Sequence, residues 1–298
     1  MPTLQQIADF HGADKLLVLA LNLKEAPARA LRFAQSTGLT LPVLLDLDGQ
    51  AARRWGVKVF PTSLTLDRRG QPRHRVQGEV DWTGIVRKTA LAATQGAKTD
   101  VEKSRMLYDW IVANTYREPK VRGCGEGDIK TMLETGNLGG KCVDLNALFV
   151  GLCRAVGVPA RDVYGIRLVP SAFGYKELSG NPASLKGSQH CRSEVYLKGY
   201  GWVAMDPADV AKVMRLETAD WIKNTSNPVV APVNKALFGG WEGNWMAYNT
   251  AHDVALPNAK GEKPGFFMYP VAENAAGRFD SYAPDDFKYQ ITTREIKV

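Results

Sequence analysis

Cys142 is the residue of this sequence best placed to act as a nucleophile. It follows Gly139-Gly140-Lys141, at the point where a helix is predicted to begin. Backbone N–H groups at a helix start and the positive end of the helix dipole both stabilise a thiolate, and the glycines let another group approach the backbone. A small buried residue at the start of a core helix would give the same pattern, so the cysteine alone does not establish an active site.

His190 and Asp206 supply the other groups that cysteine acyl transfer requires. His190 begins a predicted strand, and the chain returns antiparallel after the turn Lys198-Gly-Tyr-Gly to reach Asp206. The hairpin brings the carboxylate near the imidazole, although the sequence does not fix the register. A thiolate, an imidazole that accepts and returns its proton, and a carboxylate that orients the imidazole form a catalytic triad. We therefore predict Cys142, His190 and Asp206 as catalytic residues, while each of the last two taken singly is an ordinary structural residue.

The remaining cysteines, Cys124, Cys153 and Cys191, do not indicate a metal or redox site. No two cysteines have CxxC spacing, and with four histidines in the chain no zinc pattern can be assembled. Disulfides stay open, with Cys124–Cys191 as one candidate pair, but free buried thiols are the simpler interpretation. The Gly-Gly-Lys sequence is not a phosphate-binding loop, because Thr135 occupies the position of that motif's first glycine. We expect no metal and no cofactor.

The composition is that of a globular protein with about two domains. The chain has 298 residues, of which 45% are hydrophobic and 23% charged, and these values exclude disordered, collagen-like and disulfide-dense proteins. No apolar run reaches the roughly 18 residues of a membrane span, and no signal peptide is visible. The net charge of +7 is interleaved with acidic residues, so we expect no nucleic-acid partner.

The elements that position the three residues follow a polar seam at residues 94–99. After it we predict helices at 100–115, 128–134 and 142–155, and strands at 162–168, 191–197 and 202–205. The apolar positions of the third helix recur at helical spacing, which buries it along one side. The aromatic-rich tail is expected to extend the core, with a carbohydrate or peptidoglycan groove as the alternative, and to end in a strand at 287–293. The adjacent His252 and Asp253 are interpreted as structural.

Before the seam, strand and helix alternate. We predict strands at 16–22 and 42–46, a hairpin of 63–67 with 74–80, and helices at 26–35, 51–55 and 82–93. This order is typical of an α/β unit. The continuous apolar run at 16–22 favours a buried parallel strand.

The second half resembles the transglutaminase-like superfamily over roughly residues 100 to 210. The matching blocks are Tyr108-Asp-Trp-Ile-Val, Gly139-Gly-Lys-Cys142-Val-Asp-Leu-Asn-Ala-Leu-Phe, Leu152-Cys-Arg-Ala-Val-Gly-Val-Pro-Ala-Arg161, His190-x-x-x-Glu194-Val-Tyr and Gly199-Tyr-Gly-Trp-Val-Ala-Met-Asp206-Pro. The resemblance implies a papain-like α+β fold with the nucleophile's helix packed on an antiparallel sheet. It also implies that Cys142 is the nucleophile, His190 the general base and Asp206 the orienting carboxylate.

The sequence departs from that family at one place. Where the family usually has His-Ala-Trp before its glutamate, this chain has His190-Cys191-Arg192. Loss of the aromatic residue predicts a different substrate pocket and leaves open a catalytically silent binding or scaffold protein. The side chain of Cys191 should point away from that of His190 in a regular strand, so we expect it to be inert.

The first half resembles the carboxyl-terminal two-thirds of a TlpA-type thioredoxin-like domain. The matching blocks are Pro42-Val-Leu-Leu-Asp-Leu-Asp-Gly, Trp55-Gly-Val-Lys-Val-Phe-Pro-Thr, Asp67-Arg-Arg-Gly and Gly78-Glu-Val. The family's CxxC would precede the helix at residues 2–10, so this half as given performs no dithiol exchange. Either Met1 is an internal start within a longer reading frame, or this half is a redox-inactive remnant used for packing. We favour the first, because a sheet without its central strand leaves backbone groups unpaired; an upstream CxxC would make the protein a cell-envelope thiol-disulfide fusion.

Together these patterns predict a truncated thioredoxin-like α/β unit without CxxC at residues 1–95 and a transglutaminase-like α+β domain at 96–298. The predicted function is a cysteine enzyme that attacks a carboxamide or peptide bond, forms a thioester on Cys142 and releases the acyl group to water or an amine. The expected partner is a protein or peptide substrate, with peptidoglycan-derived peptides among the candidates. Both resemblances suggest an exported, periplasmic protein.

Overall fold

The computed structural model describes residues 2–58, 61–77, 84–261, 263–283 and 287–291. The chain divides into two compact units, Met1–Gly84 and Ile85–Val298. The division falls before the boundary predicted at residue 95, because the helix Ile85–Ala93 packs against the helices Ile129–Thr135 and Cys142–Ala155 of the second unit. No helix in the described ranges is long and apolar enough to cross a membrane.

The first unit alternates helices and strands and then forms a hairpin. Its elements are α1 (Pro2–His11), β1 (Ala20–Leu23), α2 (Pro27–Ser36), β2 (Val43–Asp46), α3 (Gln50–Arg54), β3 (Thr62–Leu66) and β4 (Pro72–Gln77). Strand β1 pairs parallel with β2, and β3 pairs antiparallel with β4. The Asp46 carboxylate fixes the start of α3 by accepting hydrogen bonds from the N–H groups of Ala51 at 3.0 Å and Ala52 at 2.8 Å.

The strand predicted at 16–22 is shorter and more exposed than expected. It begins at Ala20, and Leu21 is 48% exposed, because β1 belongs to a sheet of two strands whose faces are not fully covered. The prediction of a parallel strand is therefore confirmed and the prediction of its burial is wrong. The predicted hairpin and helix residues that fall at 78–83, with the Gly78-Glu-Val block, lie outside the described residues.

The second unit places one buried helix against a four-stranded antiparallel sheet. Its helices are α4 (Ile85–Ala93), α5 (Asp100–Asn114), α6 (Ile129–Thr135), α7 (Cys142–Ala155), α8 (Pro207–Leu216) and α9 (Ala231–Ala236). Its strands are β5 (Tyr116–Arg117), β6 (Gly139–Gly140), β7 (Ala160–Arg167), β8 (Gln189–Leu197), β9 (Gly201–Met205), β10 (Trp245–Asn249), β11 (Glu273–Asn274) and β12 (Gly277–Arg278). The sheet order is β10-β7-β8-β9, and α7 packs on β7 and β8.

Helix α7 forms the core of this unit. Its residues Leu145, Leu148, Phe149 and Leu152 are fully buried, as the helical spacing of its apolar positions predicts. The helix α5 packs beside it and begins with the predicted capping box, in which Thr99 and Glu102 bond each other's backbone N–H groups. This packing fixes the first residue of α7 against the sheet.

The tail extends the sheet through β10, a strand that the sequence did not indicate. Strand β10 pairs with β7, where Gly165 lies so close to it that an added Cβ would be 2.2 Å from the carbonyl oxygen of Met246. The strand predicted at 287–293 is not formed over the described residues 287–291, and its remainder lies outside them. His252 contacts Asp162, with 3.5 Å between Nε2 and Oδ2.

Candidate active site

Cys142 is the first residue of α7, and the Asp144 carboxylate holds this helix start in place. One carboxylate oxygen of Asp144 accepts hydrogen bonds from the N–H groups of Glu126 and Gly127, both at 2.9 Å, and the other accepts from Lys141 N–H at 2.9 Å. The loop before α6 is thereby tied to the residue that precedes the thiol. Aspartate at this position also complements the positive end of the helix dipole.

Glycines allow the Asp144 side chain to reach these donors. A Cβ at Gly125 would lie 1.9 Å from the Asp144 carboxylate, and one at Gly140 would lie 2.5 Å from the Asp144 Cβ. At Gly139 an added Cβ would lie 2.4 Å from the Tyr116 ring. The close approach expected at the Gly-Gly pair is thus made by the protein's own side chains.

His190 lies near the start of β8 and is 3% exposed. Its Nε2 is 2.7 Å from Oδ2 of Asp206 and 3.3 Å from Oδ2 of Asp209. Because Nε2 faces these carboxylates, Nδ1 is the ring nitrogen that remains to interact with Cys142, whose pKa His190 lowers. The structure therefore brings together all three residues that the sequence singled out.

Groups other than His190 also hold the Asp206 carboxylate in place. It is the N-cap of α8, and its Oδ1 accepts hydrogen bonds from Asp209 N–H at 3.2 Å and from Asn146 Nδ2 at 3.3 Å. Asn146 also donates to the carbonyl oxygen of Cys191 at 2.7 Å, which ties α7 to β8. These contacts fix the carboxylate in a fully buried position.

Two buried arginines and a second aspartate complete the cluster, and the sequence had singled out none of them as site residues. Arg167 Nη2 lies 2.5 Å from Oδ1 of Asp209, and Arg192 Nε lies 3.3 Å from Oδ2 of Asp206. Arg192, which replaces the family's aromatic residue, packs with its guanidinium 4.8 Å from the Trp245 ring centroid. The aromatic contact at this place therefore comes from β10.

The cluster is better described as an ion-pair network than as a metal site. Ligand atoms of His190, Asp206 and Asp209 lie within 4.8 Å of one another, which is compact enough for a metal ion. The guanidinium groups of Arg167 and Arg192 already contact these carboxylates. Two fixed cations at a carboxylate pair oppose the binding of a third.

The surroundings of Cys142 favour its thiolate. A hydrogen bond from Cys124 lowers the pKa of Cys142, burial raises it, and the hydrogen bond and charge of His190 lower it further, so the pKa lies well below its usual range. Burial and Arg167 lower the pKa of His190, but Asp209 and Asp206 more than offset them and raise it to about 9. Both shifts favour a thiolate on Cys142 and an imidazolium on His190 near neutral pH.

The carboxylates also differ in their environment. Burial opposes ionisation of Asp209, but the adjacent Arg167 holds the pKa of that carboxyl well below its usual range. Burial and the neighbouring Asp209 raise the pKa of Asp206. The buried cluster contains three anions, which are the thiolate and the two carboxylates. Their charges are balanced by three cations, which are Arg167, Arg192 and protonated His190.

Cys124 is a residue of the site that the sequence analysis did not recognise. Its carbonyl oxygen accepts a hydrogen bond from Val143 N–H at 3.0 Å, so the glycine-rich loop 123–127 lies beside the helix start. The interaction of its thiol with Cys142, together with burial, raises the pKa of Cys124 well above its usual range. The Cys124 thiol also lies 3.5 Å from the carbonyl oxygen of Gln189, and its raised pKa favours the protonated form, which can donate to Cys142.

Cys124→Ala is expected to raise the pKa of Cys142 and to slow its alkylation at about pH 6 by about fivefold, because a hydrogen bond to a charged group is lost. Iodoacetamide labelling of each cysteine across pH, read by mass spectrometry, measures the effect. Cys153→Ala is the matched control, since Cys153 is a core thiol of the same helix. An unchanged labelling profile in Cys124→Ala would exclude this role.

The other two cysteines lie apart from this chemistry. All four cysteines are free and buried, so the open possibility of a Cys124–Cys191 disulfide is not realised. Burial and Asp162 raise the pKa of Cys191 well above its usual range. These surroundings agree with the expectation that Cys191 is inert.

A cavity of about 380 Å³ opens onto the site. Cys124, Cys142 and His190 lie in its wall, together with serines, basic residues and three tyrosines of the tail, Tyr269, Tyr282 and Tyr289. The tail aromatics were expected to extend the core. Met268 does belong to a buried cluster, but the three tyrosines contribute to the cavity.

Two sequence signals could have pointed to the missed residues. Asp209 follows Asp206 by three positions, the spacing at which an N-cap contacts the helix that it begins. The alternating glycines of Gly123-Cys124-Gly125-Glu126-Gly127 indicate a loop that other groups approach closely. No local pattern identifies Arg167, because its partner is distant in the chain.

Comparison with known proteins identifies one domain. Residues 87–207 match the family model of the transglutaminase-like superfamily. A Haemophilus influenzae protein described as uncharacterized is 41% identical over 206 residues, covering 66% of this chain and 54% of that protein. The thiol-disulfide oxidoreductase ResA of Geobacillus thermodenitrificans is 27% identical over 78 residues, covering 26% of this chain and 45% of that protein. The chain thus spans about half the length of the curated relatives it matches.

Solved structures give weaker similarities. The periplasmic domain of TgpA from Pseudomonas aeruginosa is 19% identical, covers 47% of this chain and 48% of that chain, and has a TM-score of 0.36. Legionella pneumophila LapG is 14% identical, covers 42% of this chain and 70% of that chain, and has a TM-score of 0.25. The assignment rests on the family model, which includes all three predicted site residues. The chain contains a transglutaminase-like domain at residues 87–207.

Proposed function

We propose that this protein is a cysteine enzyme that cleaves or exchanges an amide bond through a thioester on Cys142. The observation that carries the proposal is the buried imidazole–carboxylate contact of His190 with Asp206, with His190 and the Cys142 thiol in the wall of one cavity of about 380 Å³. A cavity of this size accommodates a small peptide segment or side-chain amide.

In the first step the Cys142 thiolate attacks the carbonyl carbon of a carboxamide or peptide bond and forms a C–S bond. His190, whose pKa of about 9 keeps it protonated near neutral pH, gives its proton to the leaving nitrogen as the C–N bond breaks. Asp206 holds Nε2 of the ring, which leaves Nδ1 to exchange the proton. The products of this step are a thioester and a free amine or ammonia.

In the second step water or an amine attacks the thioester. His190, now neutral, accepts a proton from the attacking group, the C–S bond breaks and the thiolate returns. Water gives the carboxylic acid and an amine gives a new amide. We favour hydrolysis, the simpler of the two outcomes, because it requires no second substrate in the cavity.

The backbone N–H of Cys142 is the donor available to an oxyanion at this site. Asp144 accepts from the N–H groups of Lys141, Glu126 and Gly127, and Cys124 accepts from that of Val143. In the described part of the chain the N–H of Cys142 has no such partner. A preorganised donor of this kind stabilises the tetrahedral intermediate without reorganisation.

Site-resolved alkylation tests the proposal. Limiting iodoacetamide is added to the folded full-length chain at values from about pH 5 to about pH 9, and mass spectrometry quantifies each cysteine. We expect Cys142 to be labelled well below the ordinary thiol pKa of about 8.5, ahead of the three other cysteines. The Cys142→Ala variant should lack any release of amine from amide substrates that the native chain shows.

The same experiment decides between this function and a silent binding or scaffold protein. Labelling of Cys142 no faster than that of Cys124, Cys153 and Cys191 would overturn the catalytic proposal. The replacement of the family's aromatic residue by Arg192 does not by itself favour a silent site, because Arg192 is buried against Trp245 and bonds the carbonyl oxygen of Glu242 at 2.8 Å.

We also propose that the first unit is thioredoxin-like and that the protein is periplasmic. The similarity to ResA over 78 residues supports the thioredoxin-like fold. No residue before Cys124 is a cysteine, so these residues supply no pair of thiols for dithiol exchange.

A further inference from the structure

The cavity at Cys142 carries an excess of positive charge. In the described part of the chain its wall includes Arg117, Lys141, Lys186 and Lys212 besides Arg167, and it includes no aspartate or glutamate. A low-dielectric cleft with charges of one sign concentrates ligands of the opposite sign.

The protein's own carboxylates neutralise only some of these cations. Arg167 is neutralised by Asp209, and Lys212 Nζ lies 3.6 Å from a carboxylate oxygen of Glu177. Arg117 and the two other lysines have no carboxylate within ion-pair distance among the described residues. The Nε of Arg117 is buried and has no hydrogen-bond partner there. A buried donor without a partner is costly, so a ligand that accepts from it is favoured.

The cations also destabilise one another. Burial and the charge of Arg117 lower the pKa of Lys141. Burial lowers the pKa of Lys212, and the charges of Arg167 and Arg117 add to this effect. An anion in the cavity would relieve these repulsions and replace lost hydration.

We propose that the cavity selects an acidic peptide, in which carboxylates flank the amide attacked by Cys142. Arg117, Lys141 and Lys186 would contact those carboxylates. The inference rests on the proposed function, in which the Cys142 thiolate attacks an acyl substrate. An acidic peptide supplies both the amide and the anionic groups within a cavity of about 380 Å³, whereas phosphate supplies charge without a carbonyl to attack.

The rate constants for alkylation by iodoacetate and by iodoacetamide measure this preference without a substrate. Both reagents attack the same Cys142 thiolate, so their ratio is independent of the thiol pKa and reports the attraction of a carboxylate to the cavity. We expect the ratio to fall about threefold to fivefold in Lys186→Gln and in Arg117→Gln, since each removes a charge near the reagent. It should also fall as ionic strength rises.

Lys198→Gln is the matched control. Lys198 is an exposed lysine in the turn between β8 and β9 and does not line the cavity. The iodoacetate-to-iodoacetamide ratio should therefore stay at the native value in this variant. Equal ratios in Lys186→Gln, Arg117→Gln and the native chain would overturn the proposal.

Protection experiments identify the anion. N-acetyl-glutamyl-glutamate should slow the alkylation of Cys142 by iodoacetamide more than its glutaminyl analogue does. Inorganic phosphate, added so that it supplies the same concentration of negative charge, should slow the alkylation less than the acidic peptide does. Equal protection by the two peptides, or equal protection by phosphate, would contradict selection of an acidic peptide.

Failure of this inference is distinguishable from failure of the proposed function. The inference fails if Cys142 is activated but shows no preference for the anionic reagent. The proposed function fails if Cys142 is not activated, and the ratio can then still be measured at about pH 9, where an ordinary thiol is ionised.

Discussion

His190→Ala is expected to slow the alkylation of Cys142 at about pH 6 by about tenfold or more, because the thiolate loses both a hydrogen bond and a positive charge. The raised pKa of His190, about 9, means that its charge is present throughout the range from pH 5 to 8. Without it the pKa of Cys142 rises toward that of an ordinary thiol. The measurement is the iodoacetamide rate at Cys142 as a function of pH.

The pH dependence of the rate difference between the native and His190→Ala chains distinguishes the loss of the imidazolium charge from a general disruption of the fold. The difference between native and His190→Ala chains should be largest at acidic pH. It should disappear as the pH rises through about 9, where the native imidazolium loses its proton and an ordinary thiol is also ionised. A rate difference that is constant across pH would contradict the ion-pair explanation.

Two further variants separate charge from packing. His190→Gln retains a donor toward Asp206 but carries no charge, so we expect it to lose most of the acid-side reactivity. His252→Ala is the matched control, since His252 contacts Asp162 and Tyr164 and does not line the cavity. Normal labelling at about pH 6 in His190→Gln would show that the imidazolium charge is not required.

Local patterns predicted the element that carries the nucleophile. Helix α7 spans Cys142–Ala155 as expected, because its apolar spacing and the glycine after it, Gly157, are encoded within the segment itself. The hairpin of β8 and β9 was likewise indicated by its turn. Its register was not, since alternation along one strand does not say which residue pairs across; the structure pairs Ser193 with Met205 and so brings Asp206 to His190.

The ion pair between Arg167 and Asp209 could not be predicted from local patterns, although the spacing of Asp209 from Asp206 is itself a local signal. Arg167 and Asp209 lie on β7 and α8, and they meet only because both elements pack around His190. Strand β10 was missed for a related reason. Its place at the sheet edge depends on Gly165 in β7, which lets Trp245 and Met246 approach the backbone.

The exposure of β1 shows a different limit. A continuous apolar run indicates a buried strand only if neighbouring strands and helices cover both faces. Among the described residues of the first unit, β1 pairs with β2 alone, so Leu21 and Leu44 remain 48% and 49% exposed. The apolar run predicted the strand but not the strands and helices that would cover its faces.

Arg167→Met is expected to destabilise the second unit by about 3–5 kcal/mol near neutral pH, because it leaves a buried carboxylate without its main counterion. The Arg167 and Asp209 side chains are 5% and 1% exposed, and 2.5 Å separates Nη2 from Oδ1. Arg167 also donates to the carbonyl oxygen of Leu178 at 3.1 Å. Urea unfolding of the full chain measures the loss.

Arg161→Met is the matched control from the same strand. Arg161 pairs with Glu194 at 2.6 Å, but its side chain is 36% exposed, and such partly solvated pairs contribute about 0–1 kcal/mol. A loss in Arg167→Met no larger than in Arg161→Met would show that the buried pair does not stabilise the fold.

The effect of Arg167→Met should depend on pH with a definite sign. In the native chain the pKa of Asp209 is depressed, so its contribution to stability is present above the unfolded pKa of about 3.9 and is lost as the pH falls through the folded pKa. Without Arg167 the pKa of Asp209 rises, and the protonated acid requires no counterion. The stability difference between Arg167→Met and the native chain should therefore shrink as the pH is lowered, and the double variant Arg167→Met/Asp209→Asn should recover part of the loss at neutral pH. A difference that grows toward acid pH, or a double variant less stable than Arg167→Met, would mean that Asp209 is stabilised by groups other than Arg167.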